Sequence, residues 1–273
     1  SWAAAIAVLI NIPLNFYLIF TRELGISGAA IASSLAEMGS FMMLSFYMWI
    51  RLDKEKYGLR PVYNGNLLIK VLKLSTWSML HALISVAPWF LFFVSIEHLG
   101  KIELAISNIT RSVSAIFFVI ANSFALTTGS LVSNAIGAGE GKTLFSICSK
   151  ILKLGYTIGF PLVAIALLCN RWIIGFYTSN ELLIQLAFAP FVVMLLNYTF
   201  ALPGYVYLNA VGGTGKTQMT FLFQVTTTAI YLVYLYWLGR YTQAPLAIYL
   251  TAEYVFVILL ATQSIFYLKK KHY

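Results

Sequence analysis

Charge is scarce in this sequence. Of 273 residues only nine are acidic, and Asp, Glu, Lys and Arg together make up 10%, against about 25% in a soluble domain. That deficit excludes an ordinary water-soluble enzyme. Cysteine is nearly absent too: Cys148 and Cys169 fall on what reads as one helix, about 30 Å apart at 1.5 Å per residue. They cannot pair with each other and are read as small packing residues. The three histidines, His81, His98 and His272, make no ligand spacing with one another or with a carboxylate, so no zinc site or other metal cofactor is expected. No histidine, aspartate and serine constellation marks a membrane-embedded transferase or hydrolase, and the chain is read as a non-enzyme. Ser1-Trp2 opens directly into an apolar run with no methionine, basic n-region or cleavage site, which reads as a fragment.

Apolar residues make up 60% of the chain, and mean hydropathy is +0.83. Uncharged stretches run over Ser1–Thr21, Leu74–Ile96, Ser112–Gly139, Leu182–Gly215 and Thr217–Gly239. Each is long enough to cross a bilayer as a helix, which takes roughly 20 residues. With breaker residues the pattern predicts about eight spans, near 2–20, 28–50, 74–97, 104–128, 147–169, 182–208, 217–238 and 246–267. The fold class is therefore an all-α integral membrane protein, a multi-pass helical bundle whose partner is the lipid bilayer.

Eighteen basic residues sit between these runs rather than on one face, which argues against nucleic acid as a partner. With Ser1 inside, the cytoplasmic set is Arg51, Lys54, Lys56, Arg60, Lys70, Lys73, Lys142, Lys150, Lys153, Lys216 and Lys269–Lys271. The outer set is only Arg22, Lys101, Arg171 and Arg240. Lysine and arginine collect on the cytoplasmic side of membrane proteins, so both ends of the chain are placed there. Only the connection 51–73 is long, and it separates two spans from six. A weak repeat lays residues 14–38 over 230–254, placing Glu37 on Glu253. Parallel repeats of this kind are typical of transporters.

Three ionised groups fall toward the middle of spans: Glu37, Arg111 and Glu253. Such groups cost about 2.5–3.5 kcal/mol at a span centre on insertion scales and rarely face lipid. All three lie in the outer half, at depths of about 10–13 Å. Arg111 shares a stripe with Ser107, Asn108, Ser114, Asn122 and Ser133, while Gly28, Ala32, Ala36 and Ser40 form a small-residue seam beside Glu37. The Glu253 face offers Tyr249 as its polar neighbour. Two readings stand: carboxylates that bind a proton or cation with Arg111 holding one of them charged, or a buried structural ion pair.

His81 shares a face with Ser78, Ser85 and Pro88. It is either a proton relay or a hydrogen-bonded packing histidine, the more frequent role. Asn197-Tyr198 precedes Pro203 in the sixth span, where a proline frees a carbonyl, and both residues are candidates for ion or substrate contact. Gly129 is expected to mark a bend or the exit of the fourth span. The stretch Ala210–Thr217 mimics a phosphate-cradling loop, but no strand precedes it, and it is read as a hairpin between helices. Gly137–Lys142 is likewise a turn, and Gly155 with Gly159 a packing seam.

Asn15–Phe20, Leu24–Ala32 and Leu131–Gly139 resemble the multidrug and toxic compound extrusion (MATE) family. Phe92-Phe93, Ile96–Gly100 and Leu104–Asn108 are similar to a subgroup common in Bacteroidetes-type bacteria. The resemblance implies a two-lobe, twelve-helix transporter of the bacterial inner membrane, of which this chain holds helices five to twelve. Residues 1–50 would close the N-lobe, 51–73 the cytoplasmic inter-lobe linker, 74–268 the C-lobe and 269–273 a basic tail; the first four helices would precede residue 1. It further implies efflux of small organic cations by antiport with protons or sodium. The third span carries Ser85 and the sixth Asn197 where sodium-type members carry acids, which leaves the coupling ion open. A lipid-linked oligosaccharide flippase of the same superfamily is the alternative.

Overall fold

The computed structural model describes residues 2–53 and 63–270. The basic run Lys54–Arg60, Pro61 and the tail from Lys271 lie outside the described residues. The chain forms α1 (Trp2–Phe16), a π turn (Tyr17–Thr21), α2 (Gly25–Arg51), α3 (Gly65–Ile96), α4 (Lys101–Gly137), α5 (Leu144–Leu168), α6 (Asn170–Gly175), α7 (Glu181–Leu196), α8 (Tyr198–Gly213), α9 (Thr217–Tyr241), α10 (Leu246–Tyr249) and α11 (Ala252–Lys270). Among the described residues seven helical segments are long and apolar enough to cross a membrane, and Ala5–Thr21 is a shorter apolar helix. The backbone divides into two compact units, 1–65 and 66–273.

Several expected boundaries shift. The connection over 51–73 is shorter, because α2 reaches Arg51 and α3 begins at Gly65; Asn66–Lys73 has only two lysines among apolar residues and continues the helix. Gly129 does not end α4, which runs on to Gly137. Its missing side chain serves a helix crossing instead: a Cβ there would lie 3.3 Å from the Asn209 carbonyl, and one on Gly213 would run into the carbonyl of Gly129. The sixth span is two helices, α7 and α8, parted at Asn197, and Cys169 caps α5 rather than continuing it. Both cysteines are free.

Within 1–65, α2 buries Gly28, Ala32 and Ala36. A Cβ on Gly28 would press on the Leu18 backbone, so the seam brings α2 close to α1 and the π turn. Within 66–273, α8 is the central helix and packs against α4, α5, α9 and α11. Small residues permit its close crossings: Gly155 and Gly159 of α5 leave room for Leu202 and Tyr198, and Gly204 lies against the Val257 carbonyl. Pro203 cannot donate to the Thr199 carbonyl, and the Tyr156 hydroxyl does so at 2.7 Å. The stretch resembling a phosphate loop is the end of α8 and a turn at Thr214-Gly215 leading into α9. A helix precedes it, as a hairpin requires.

Candidate functional site: a buried ion pair among aromatic rings

Pro245 starts α10, and the backbone then tightens before α11. The N–H groups of Thr251, Glu253 and Tyr254 each donate to the carbonyl three residues back, those of Ile248, Leu250 and Thr251. Short 3₁₀ pitch within a long helix often accompanies a functional position. Here it aims the Glu253 carboxylate into the bundle. Arg111 of α4 donates from a terminal guanidinium nitrogen to Glu253 Oε1 at 2.5 Å, and the two side chains are 10% and 16% exposed. The Tyr231 hydroxyl of α9 donates to the same oxygen at 3.1 Å. Beneath the guanidinium lie two rings of α3, Phe92 at 4.1 Å and Phe93 at 5.4 Å from centroid to Cζ.

Four helices thus hold one carboxylate and one guanidinium out of lipid. Arg111 Nε is buried without a partner among the described residues, as are Ser107 Oγ and Thr110 Oγ1 on the same helix and Asn197 Oδ1. A buried donor or acceptor left unmatched costs about 1–3 kcal/mol, so Arg111 Nε is suited to an additional polar partner. Opposite charges about 4 Å apart attract by about 4 kcal/mol at the effective dielectric of a protein surface. Neutralising Glu253 removes that attraction.

The other candidates make different contacts. Glu37 is exposed, and within its own unit its neighbour Ser33 accepts a bond from Asn11 at 3.3 Å. Asn122 lies on the Arg111 face but eleven residues along α4, about 16 Å away. Tyr198 is a packing residue: its hydroxyl donates to the Gly155 carbonyl at 2.9 Å and its ring fills the space over Gly159. His81 is hydrogen-bonded to Gln224 of α9. Its Nε2 is buried without a hydrogen-bond partner among the described residues. Tyr249 faces away from Glu253, and its hydroxyl meets His98 Nε2 at 3.3 Å.

Sequence reasoning did not assign Phe92, Phe93 or Tyr231 to the site. For Tyr231 the signal is the polar spacing Gln224, Thr227, Thr228, Tyr231, which lies on one helical face. No local signal ties the two phenylalanines to an arginine on another helix.

Protein DETOXIFICATION 8 of Arabidopsis thaliana is 24% identical over 181 residues, 64% of this chain and 36% of the plant protein. Multidrug and toxin extrusion protein 1 of Mus musculus is 28% identical over 139 residues, 49% of this chain and 24% of its own length. The chain therefore spans about a third or less of the curated relatives it matches. Among solved structures, an outward-facing conformation of a multidrug resistance MATE family transporter of the MOP superfamily aligns with a TM-score of 0.86 at 17% identity, over 99% of this chain and 61% of that one. A MOP superfamily transporter from Pyrococcus furiosus, described as having a binding pocket of reverse polarity that suggests a different function, aligns at 0.84 and 17% identity, over 99% and 62%. At these identities the likeness establishes the fold, that of a multi-pass membrane protein. The MatE family model matches residues 78–237, more than half of the sequence and including the aromatic rings, Arg111 and Tyr231, and the chain belongs to the MatE family.

Proposed function

We propose that this chain forms part of a secondary transporter that expels small organic cations in exchange for protons or sodium by alternating access. In this reading residues 1–50 belong to an N-lobe and 74–268 form the C-lobe of a two-lobe protein of a bacterial inner membrane, with both ends cytoplasmic. The observation that carries the reading is the Arg111–Glu253 pair with Tyr231 on the carboxylate and Phe92 and Phe93 under the guanidinium. Aromatic faces and a carboxylate are what an organic cation requires, and here the resident cation is Arg111. A substrate cation competes with Arg111 for Glu253. A proton or sodium ion on the carboxylate ends the attraction and releases the substrate. Because the ion binds one arrangement of the helices more tightly than the other, its gradient shifts their balance. Glu37 is the second candidate carboxylate.

Glu253→Gln keeps the shape of the side chain and removes its charge. In vesicles holding the intact transporter it is expected to lower efflux of a fluorescent cation by at least about tenfold, a loss of roughly 1.4 kcal/mol, with membrane insertion unchanged. Wild-type efflux from that variant discards the assignment. The flippase alternative calls for a basic, wide cavity, and the engagement of Arg111 by Glu253 favours the cation reading over it.

A further inference from the structure

The helices α3 and α9 keep register along the cytoplasmic half of the bundle. The Thr217 hydroxyl donates to the Leu74 carbonyl at 3.3 Å, the Trp77 and Phe221 rings lie 5.4 Å apart, and His81 lies beside Gln224. Each step advances both helices by three or four residues. On α9 the same spacing continues through Thr228 to Tyr231, and on α3 it reaches Pro88, which has no N–H for the Ile84 carbonyl. One step further, Phe92 lies beneath Arg111.

The face of α9 along this lane is polar and buried. Gln224 is 3% exposed, Thr227 fully enclosed and Thr228 6% exposed. Gln263 of α11 donates to Thr227 at 3.2 Å and accepts from Thr226 at 2.9 Å. The next residue, Ser264, is fully enclosed. The His81 Nε2, Thr228 Oγ1 and Ser264 Oγ atoms are buried with no partner among the described residues. Residues three or four apart on one helix face have Cβ atoms about 5–6 Å from each other, close enough for water to bridge their polar groups. Buried waters settle where several unmatched polar groups converge.

We infer that this stripe is a proton conduit, completed by water, from Glu253 through Tyr231 and Thr228 to His81, whose imidazole Gln224 holds in place, and on to the cytoplasmic side. The inference rests on the antiport reading and adds to it the proton as coupling ion and a route for its exit. Each transfer forms one O–H or N–H bond and breaks another. The carboxylic acid of Glu253 gives its proton to the Tyr231 oxygen as Tyr231 releases its own to the next water. At the far end the His81 imidazole takes a proton on one ring nitrogen and releases one from the other. No electrons are exchanged. The ionisable groups around the lane are Glu253 on α11, Tyr231 on α9, Tyr205 on α8, Arg111 on α4 and His81 on α3.

The test uses the intact transporter in vesicles with an internal pH dye, a fluorescent cation, and separate pH and sodium steps. Thr228→Val with Ser264→Ala is expected to slow exchange driven by the pH step about tenfold, while equilibrium binding of the cation stays within about twofold. Thr228→Ser, which keeps the hydroxyl, is expected to retain the wild-type rate, and His81→Gln to lose it. Thermal unfolding of each variant excludes a folding defect as the cause. Wild-type rates in the hydroxyl-free variant overturn the conduit, as does exchange that follows sodium and ignores pH; both leave the Glu253→Gln loss standing. A silent Glu253→Gln variant instead removes the antiport reading, and the conduit with it.

Discussion

Two glutamates of this chain sit in similar local sequences, and their surroundings differ. Glu37, on α2, is exposed, and its helix buries only Gly28, Ala32 and Ala36. Glu253, at the start of α11, is met by Arg111 from α4 and Tyr231 from α9. The local sequences are alike, Leu35-Ala36-Glu37 against Thr251-Ala252-Glu253. The difference comes from the neighbours: α2 packs on α1 and the π turn, whereas α11 lies against α8 and α9 within a bundle that also holds α4. An acidic residue in an apolar helix marks a place where charge must be compensated, and the tertiary partners decide how.

The sharpest way to break this comparison is to remove the counter-charge. Arg111→Ala leaves Glu253 buried and unpaired, and truncating one member of such a pair costs about 3–5 kcal/mol. Thermal unfolding of the purified protein in detergent reads the loss, and replacing both residues by methionine is expected to restore most of it. An Arg111→Ala protein as stable as the wild type would mean that pairing is not what distinguishes Glu253. A smaller step is Tyr231→Phe, which deletes one hydrogen bond to a charged oxygen. About 1.5–3 kcal/mol is expected in the same measurement, and a wild-type melting curve would show the hydroxyl to be idle. The smallest effect is expected at the other glutamate. Glu37→Gln should change stability by less than about 0.5 kcal/mol, as at other exposed positions. A loss matching that at Arg111 would erase the contrast.

Much of the fold was legible in the sequence for a simple reason: a bilayer demands long apolar helices, and their number and rough limits follow from runs of residues. The seam on α2 and the pair Gly155 and Gly159 were legible as well, because close helix approach has a local residue signature. Boundaries were less so. The extension of α3 back to Gly65 and of α4 through Gly129 depends on neighbours that tolerate or require those turns, and the 3₁₀ stretch before Glu253 has no marker beyond Pro245. At the site, Arg111 and Glu253 were visible as costly charges. Which groups would answer them was not, since Phe92 and Tyr231 are separated from Glu253 by 161 and 22 residues respectively. The stripe on α9 was present in the spacing of Gln224, Thr227, Thr228 and Tyr231, but polar residues at helical intervals do not say what they face.

By itself the sequence determined that this chain lives in lipid as a bundle of helices and that three ionised side chains toward the middle of its spans carry a cost that must be met, because both conclusions follow from transfer free energies of single residues and short runs. Tertiary structure alone decided that Arg111 and Glu253 form one buried pair, that aromatic rings support it, and that Glu37 is exposed within its own unit. Those outcomes depend on which helix faces meet, and that is settled by packing across the whole bundle.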